Sequence, residues 1–154
     1  VLCKLYPWEW LAGEAFGPHL LASSLRVIEP AWKMLLSNKG VLPILWELFP
    51  GHENLLPAYF QRGRITGDFV EKPLLSREGS NVTLHAGGRI LRTDGEYGAE
   101  GIVYQAYAPI PRFGDDYVTI GAWIIGDEPA GIGLREDAGP ITRDTSRFVP
   151  HYFL

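Results

Sequence analysis

The chain has 154 residues, enough for one domain with a core of its own. Apolar residues make up 46% and aromatic residues 12%, which excludes a disordered tail. A net charge of −4 argues against broad binding to nucleic acid or to an anionic membrane, since both need a basic surface, but it leaves room for a small basic pocket.

In chain order, Val1 to Tyr6 reads as a short strand, and Trp8 to Phe16 as a short helix ended by Gly17-Pro18. Leu25 to Ile28 reads as a strand that stops at Glu29-Pro30, and Ala31 to Leu36 as helix. Ser37-Asn38 offers cap oxygens to a further helix, Val41 to Phe49, in which Pro43 fits only within the first turn, where its missing N–H costs nothing. Asn54 to Arg64 is loop-like. Phe69 to Leu74, Asn81 to His85 and Ile102 to Tyr107 read as strands, with turns at Gly87-Gly88 and Asp94-Gly95. Val118 to Ile125 and Ala130 to Leu134 flank Gly126-Asp127-Glu128-Pro129, a hairpin signal. Helices come early and strands late, so the expected class is α+β with an antiparallel sheet and flanking helices.

Cys3 is the only cysteine, which leaves no intrachain disulfide and no Cys-rich zinc site. His19, His52, His85 and His151 are scattered without an HExxH pattern, so no metal site is expected in this chain. There is no signal peptide and no long apolar span, and a cytoplasmic location is expected. The chain opens Val1-Leu2-Cys3-Lys4, as though already inside a strand, and the expectation is a segment of a longer protein.

The chemistry concentrates in FVEKPLLSREGSNVTL, residues 69–84. Lys72 stands at a strand end. Ser76, Arg77, Gly79 and Ser80 follow in a loop that supplies hydroxyls, a second cation and a backbone able to approach an anion closely. It is neither GxxxxGK[ST] nor GxGxxG, and by itself it reads first as a plain hairpin with solvated Lys72 and Arg77. Lys39, after Ser37-Asn38, opens a helix and could serve the same anion or none. Gln105 to Ala108, halted by Pro109, is a strand whose edge could meet a base. Arg135 precedes Glu136-Asp137 and could be engaged in an ion pair only.

Five segments, KLYPWEW, EPAWKMLLSNKGVLPILWELFPGH, EKPLLSREGSNV, YQAYAPIP and GLREDAGPITRDTSRFVPH, together resemble the C-terminal synthetase domain of glutathionylspermidine synthase, and most of all the stand-alone bacterial synthase-like proteins. The resemblance runs from Lys4 to about His151. It implies an ATP-grasp fold, with residues 1–154 forming its C-terminal nucleotide-binding part. It also implies an ATP-dependent carbon–nitrogen ligase that joins a glutathione-like acid to a polyamine-like amine through an acyl phosphate. By matching motifs, Lys39 and Lys72 resemble the lysines that hold the nucleotide phosphates, and Ser76, Arg77, Gly79 and Ser80 the phosphate-covering loop. Gln105, Ala106, Tyr107 and Ala108 resemble the adenine hinge, while Thr119, Pro140, Ile141 and Thr142 fall at further nucleotide positions. Arg135 resembles the arginine near the reacting phosphate. The family's Mg2+ ligands and transition-state arginine lie upstream of KLYPWEW. Trp10 stands where spermidine-making members carry a small hydroxyl residue next to the substrate. The alternative that this leaves is a nucleotide-binding module that acts on a partner without ligation.

Overall fold

The computed structural model describes residues 1–152. Its N-terminal part is a small unit in which β1 (Leu2–Cys3) and β2 (Val27–Ile28) run parallel, Leu2 opposite Val27 and Cys3 opposite Ile28. Between them lie α1 (Trp8–Gly13) and α2 (Gly17–Leu21). The helix expected over Trp8–Phe16 is α1, which already ends at Gly13, and Gly17-Pro18, expected only to end it, starts the unforeseen α2. Proline without an N–H stops a helix that reaches it but suits the first turn of the next. Gly17 is required for the close join, since a Cβ there would lie 2.5 Å from the Leu11 carbonyl oxygen. Trp8 and Leu11 form the buried face of this unit, and the Trp8 indole donates to the Glu29 carbonyl at 3.2 Å.

The helix expected over Ala31–Leu36 is a 3-10 turn, Ala31–Lys33, leading into α3 (Met34–Ser37). Next comes α4 (Val41–Leu48), with Pro43 in its first turn. The expected side-chain cap is absent: the N-cap residue is Gly40, without a side-chain cap bond, and the Ser37 and Asn38 oxygens are used elsewhere. Asn38 Oδ1 accepts from the Gly40 amide at 2.8 Å, while Ser37 Oγ donates to the Met34 carbonyl at 2.9 Å.

The main sheet has five antiparallel strands in the order β3-β7-β4-β5-β6, namely β3 (Ala58–Tyr59), β4 (Phe69–Pro73), β5 (Thr83–Ala86), β6 (Arg89–Arg92) and β7 (Ile102–Ala106). Two of these, β3 and β6, are strands the sequence pattern does not predict. All four residues of β6 are exposed, so no buried alternation marks it. It pairs because Gly87 and Gly88, both at positive φ (56° and 72°), form a two-residue turn of the kind that matches strand twist. β3 is two residues laid on the outer edge of β7. Ala58, Phe69, Val82, Leu84 and Val103 make the core of this sheet.

A second antiparallel sheet has the order β11-β10-β9-β8, with β8 (Arg112–Phe113), β9 (Asp116–Ile125), β10 (Glu128–Asp137) and β11 (Arg147–Val149). The hairpin expected between β9 and β10 is present but tighter than its signal, with Ile125 directly opposite Glu128 across Gly126-Asp127. Pro129, expected in the turn, lies within the strand at a register shift before Gly131, which accommodates a residue that cannot donate to the ladder. The class is α+β with antiparallel sheets and flanking helices; the parallel β1–β2 pair is the exception. Among the described residues no helix is long and apolar enough to cross a membrane.

Candidate functional site: a cationic cleft

Alternation along β4 decides which side chains reach the site. Phe69 and Pro73 are buried on one face, while Val70 and Lys72 project from the other into a cleft of about 310 Å³. Register brings partners to the same face: Leu84 of β5 and Gln105 of β7 both pair with Val70, and both line the cleft. Lys72 Nζ donates to Gln105 Oε1 at 2.7 Å.

Lys39 enters from the segment before α4. Its amide donates to the Leu74 carbonyl at 2.8 Å, which ties that segment to the end of β4. Its Nζ donates to Ser76 at both the carbonyl (2.7 Å) and Oγ (3.0 Å). Two lysines thus meet in a half-buried space. Burial, and then the Lys39 charge, push the Lys72 ammonium below the ordinary lysine range. Burial, and then the Arg77 charge, do the same to Lys39, against the opposing pull of Glu9. Arg77 is itself engaged by Glu9 at 2.9 Å. The result is a recess with excess positive charge that folding has partly desolvated, the condition in which a bound anion gains most.

The loop after β4 forms a tight turn at Arg77-Glu78-Gly79-Ser80. Ser80 N–H donates to the Arg77 carbonyl at 2.9 Å, and Glu78 and Gly79 both have positive φ (50° and 69°), as in a type I′ turn. Gly79 presses against the opposite wall, where a Cβ would lie 2.4 Å from the Thr142 carbonyl oxygen. That wall is Pro140, Ile141 and Thr142, in the loop after β10. The third wall is Gln105, Ala106, Tyr107 and Ala108.

Most of the residues singled out in the sequence therefore share one cleft, and four do not line it. Ser80 faces the outer side of the turn, in a separate recess with Thr93 and Arg143. Thr119 stands behind the wall and meets it through Thr142 Oγ1 at 2.9 Å. Trp10 sits on α1 with its ring 5.5 Å from that of Tyr6 and 5.9 Å from the Arg77 guanidinium. Arg135 is drawn to Glu78, with Nη1 and Nη2 each 3.2 Å from Oε2, and it also donates to the Arg143 carbonyl. The expected open edge at residues 105–108 is partly used within the protein: the Ala106 amide donates to the Pro57 carbonyl at 2.8 Å and the Tyr107 amide to the Asp68 carbonyl at 3.0 Å. Sequence reading passed over Leu56, Val70, Val82, Leu84, Ile110 and Glu78, which also line the cleft. Val70 was recoverable, because it lies two residues from Lys72 on a strand and must share its face. Among the described residues no group of three or more His, Cys, Asp or Glu side chains converges as an all-protein metal cage would need.

The family described as "Glutathionylspermidine synthase preATP-grasp" matches residues 1–154. A "Putative acid--amine ligase" of Haemophilus influenzae is 45% identical over 100% of this chain and 42% of its own length. A "Trypanothione synthetase" of Crithidia fasciculata is 35% identical over 79% of this chain and 19% of its own length. A "Bifunctional glutathionylspermidine synthetase/amidase" of Escherichia coli (strain K12) is 30% identical over 85% of this chain and 22% of its own length. The chain thus spans less than half the length of these relatives. With the match running from its first residue to its last, the chain belongs to the glutathionylspermidine synthase preATP-grasp family.

Proposed function

We propose that the cleft binds ATP, and that in a full-length protein of this family it serves an ATP-dependent ligase joining a carboxylate to an amine. The observation that carries this reading is the convergence of Lys39 and Lys72, two partly desolvated and mutually repelling ammonium groups, beside the tight turn at Glu78-Gly79. Such a pair wants a multiply charged anion rather than a neutral ligand. The apolar Val70, Leu84 and Ile141 give a base its slot, with the 105–108 segment as the polar wall beside it. In the reaction, the terminal phosphoryl group leaves ADP and bonds to a carboxylate oxygen of the acid. The neutral amine then attacks the acyl carbon, the C–O bond to phosphate breaks to release inorganic phosphate, and the nitrogen gives up one proton to phosphate or solvent. Lys39 and Lys72 neutralise the phosphate chain, and Arg135, once free, meets charge developing on the transferred group. Two anions cannot approach without further cations. This family's reaction is read as using Mg2+, which would lower that charge when bound. Among the described residues no group of three or more His, Cys, Asp or Glu side chains converges, and no step through the ion is assigned to them. The names of the relatives support a glutathione-like acid and a polyamine-like amine as substrates, and the cytoplasm suits such metabolites. Calorimetry tests the nucleotide reading: the chain is expected to bind ATP at least about tenfold more tightly than adenosine, since a charge-assisted contact contributes roughly 1.5–3 kcal/mol. Equal affinities would remove it.

The loop supplies a second check. Ser76, Arg77, Gly79 and Ser80 are held by contacts that phosphates would reinforce, so trypsin cleavage after Arg77 is expected to slow several-fold with an ATP analogue. Unchanged cleavage at saturating ligand would show that this loop does not close over it.

A further inference from the structure

Among the described lining residues of the cleft, Glu78 is the single carboxylate, and it is paired with Arg135. Both terminal nitrogens of Arg135 reach the same oxygen, Oε2, at 3.2 Å. The guanidinium also lies over the Phe148 ring, 5.1 Å from its centroid, which restricts its plane. The turn does not account for a glutamate here. Glu78 is the first central residue of a type I′ turn, at φ 50°, where glycine, asparagine and aspartate are favoured and a long side chain without local backbone bonding is not. The turn itself is fixed by the Ser80–Arg77 bond, by Thr93 Oγ1 donating to the Gly79 carbonyl, and by the lack of room at Gly79. Only the side chain of Glu78 is left to move.

We propose that Glu78 is a built-in anion that occupies Arg135 until the phosphates of a bound nucleotide displace it. This rests on the nucleotide reading above. The Glu78 side chain is half exposed, so it leaves the pair at little desolvation cost, whereas Arg135 is more enclosed and stays in place to meet the incoming oxygens. A phosphate group presents more charge and more acceptor oxygens than one carboxylate, and so wins the exchange when it arrives. Adenosine, without phosphates, has nothing to trade. The contact therefore keeps the arginine from engaging a ligand that lacks a polyphosphate.

The test is calorimetry of the full chain with inorganic triphosphate and with adenosine, for wild type, Glu78→Gln and Glu78→Asn. The Asn variant suits the turn and keeps the test valid if the Gln variant folds poorly. Both are expected to bind triphosphate about two- to fivefold more tightly, the range set by releasing one partly exposed ion pair, with adenosine unchanged. In an Arg135→Met background the gain is expected to vanish. A gain that persists there means simple repulsion between Glu78 and the ligand and overturns the proposal. Wild type and both variants binding triphosphate equally overturns it too, while the nucleotide reading stands. Absence of binding by all proteins to both probes removes the nucleotide reading, and this inference with it.

Discussion

Lys72→Met is expected to weaken ATP binding by about 10- to 150-fold while leaving adenosine binding nearly unchanged, the loss matching about 1.5–3 kcal/mol for a charge-assisted contact. The lysine is well suited to show this. It projects into the cleft from β4, its ammonium donates to the neutral Gln105 Oε1 at 2.7 Å, and both burial and Lys39 disfavour its charge. Folding stability is expected to shift by less than about 1 kcal/mol, because relief of a buried, repelled charge offsets the amide oxygen left without its donor. Lys39→Met is expected to act in the same direction, with added loosening of Ser76, which it holds through two bonds. Titration calorimetry with ATP and adenosine, alongside urea unfolding, separates the outcomes. If both variants keep wild-type ATP affinity, the phosphates bind elsewhere.

Asp137→Asn is expected to cost about 1.5–3 kcal/mol of stability at neutral pH. Asp137 ends β10 and is buried. Its carboxylate accepts from Ser146 Oγ at 2.6 Å, Arg143 Nη2 at 3.0 Å and the Gly139 amide at 2.9 Å. These bonds close the loop that carries Pro140, Ile141 and Thr142, the wall of the cleft. Burial opposes ionisation of Asp137. The hydrogen bonds from Ser146, Arg143 and Gly139, with the Arg143 charge, outweigh it and hold the pKa down at about 2, below the ordinary 3.8. The sign follows from proton binding: between these two values the unfolded chain holds more protons, so stability rises with pH. The contribution is therefore complete above pH 3.8 and is lost as pH falls through about 2. Urea unfolding of wild type and variant is expected to show a constant gap from pH 7 down to about 4 that closes toward pH 2. A gap independent of pH would mean that the Asn fails through shape and not through charge. Because the same loop walls the cleft, Asp137→Asn is also expected to weaken ATP, but less than Lys72→Met does.

Local chemistry made much of this protein legible in its sequence. Alternating strands around Lys72 and Gln105, Pro43 in a first turn, the Gly126-Asp127 hairpin and the early-helix, late-strand order all act over a few residues, where sterics and periodicity decide. The family likeness rested on ordered motifs spread along the chain, and so survived errors at element ends. Other features were decided only by tertiary structure. β6 has no buried residue and β3 is only two residues long, too short for a pattern; a free sheet edge and a Gly87-Gly88 turn recruit them. Gly17-Pro18 starts α2 rather than ending α1, and Gly17 leaves room for the Leu11 carbonyl where the two helices meet. The Ala106 and Tyr107 amides, open along a strand in sequence, are taken by Pro57 and Asp68, whose positions no local rule supplies. Arg135 and Glu78 stand 57 residues apart, and their pairing exists only once the second sheet lies beside the turn after β4. Residue types and spacing set which groups are available within a strand or turn. Which groups from distant segments face one another depends on how those segments pack, and that is a property of the whole folded chain.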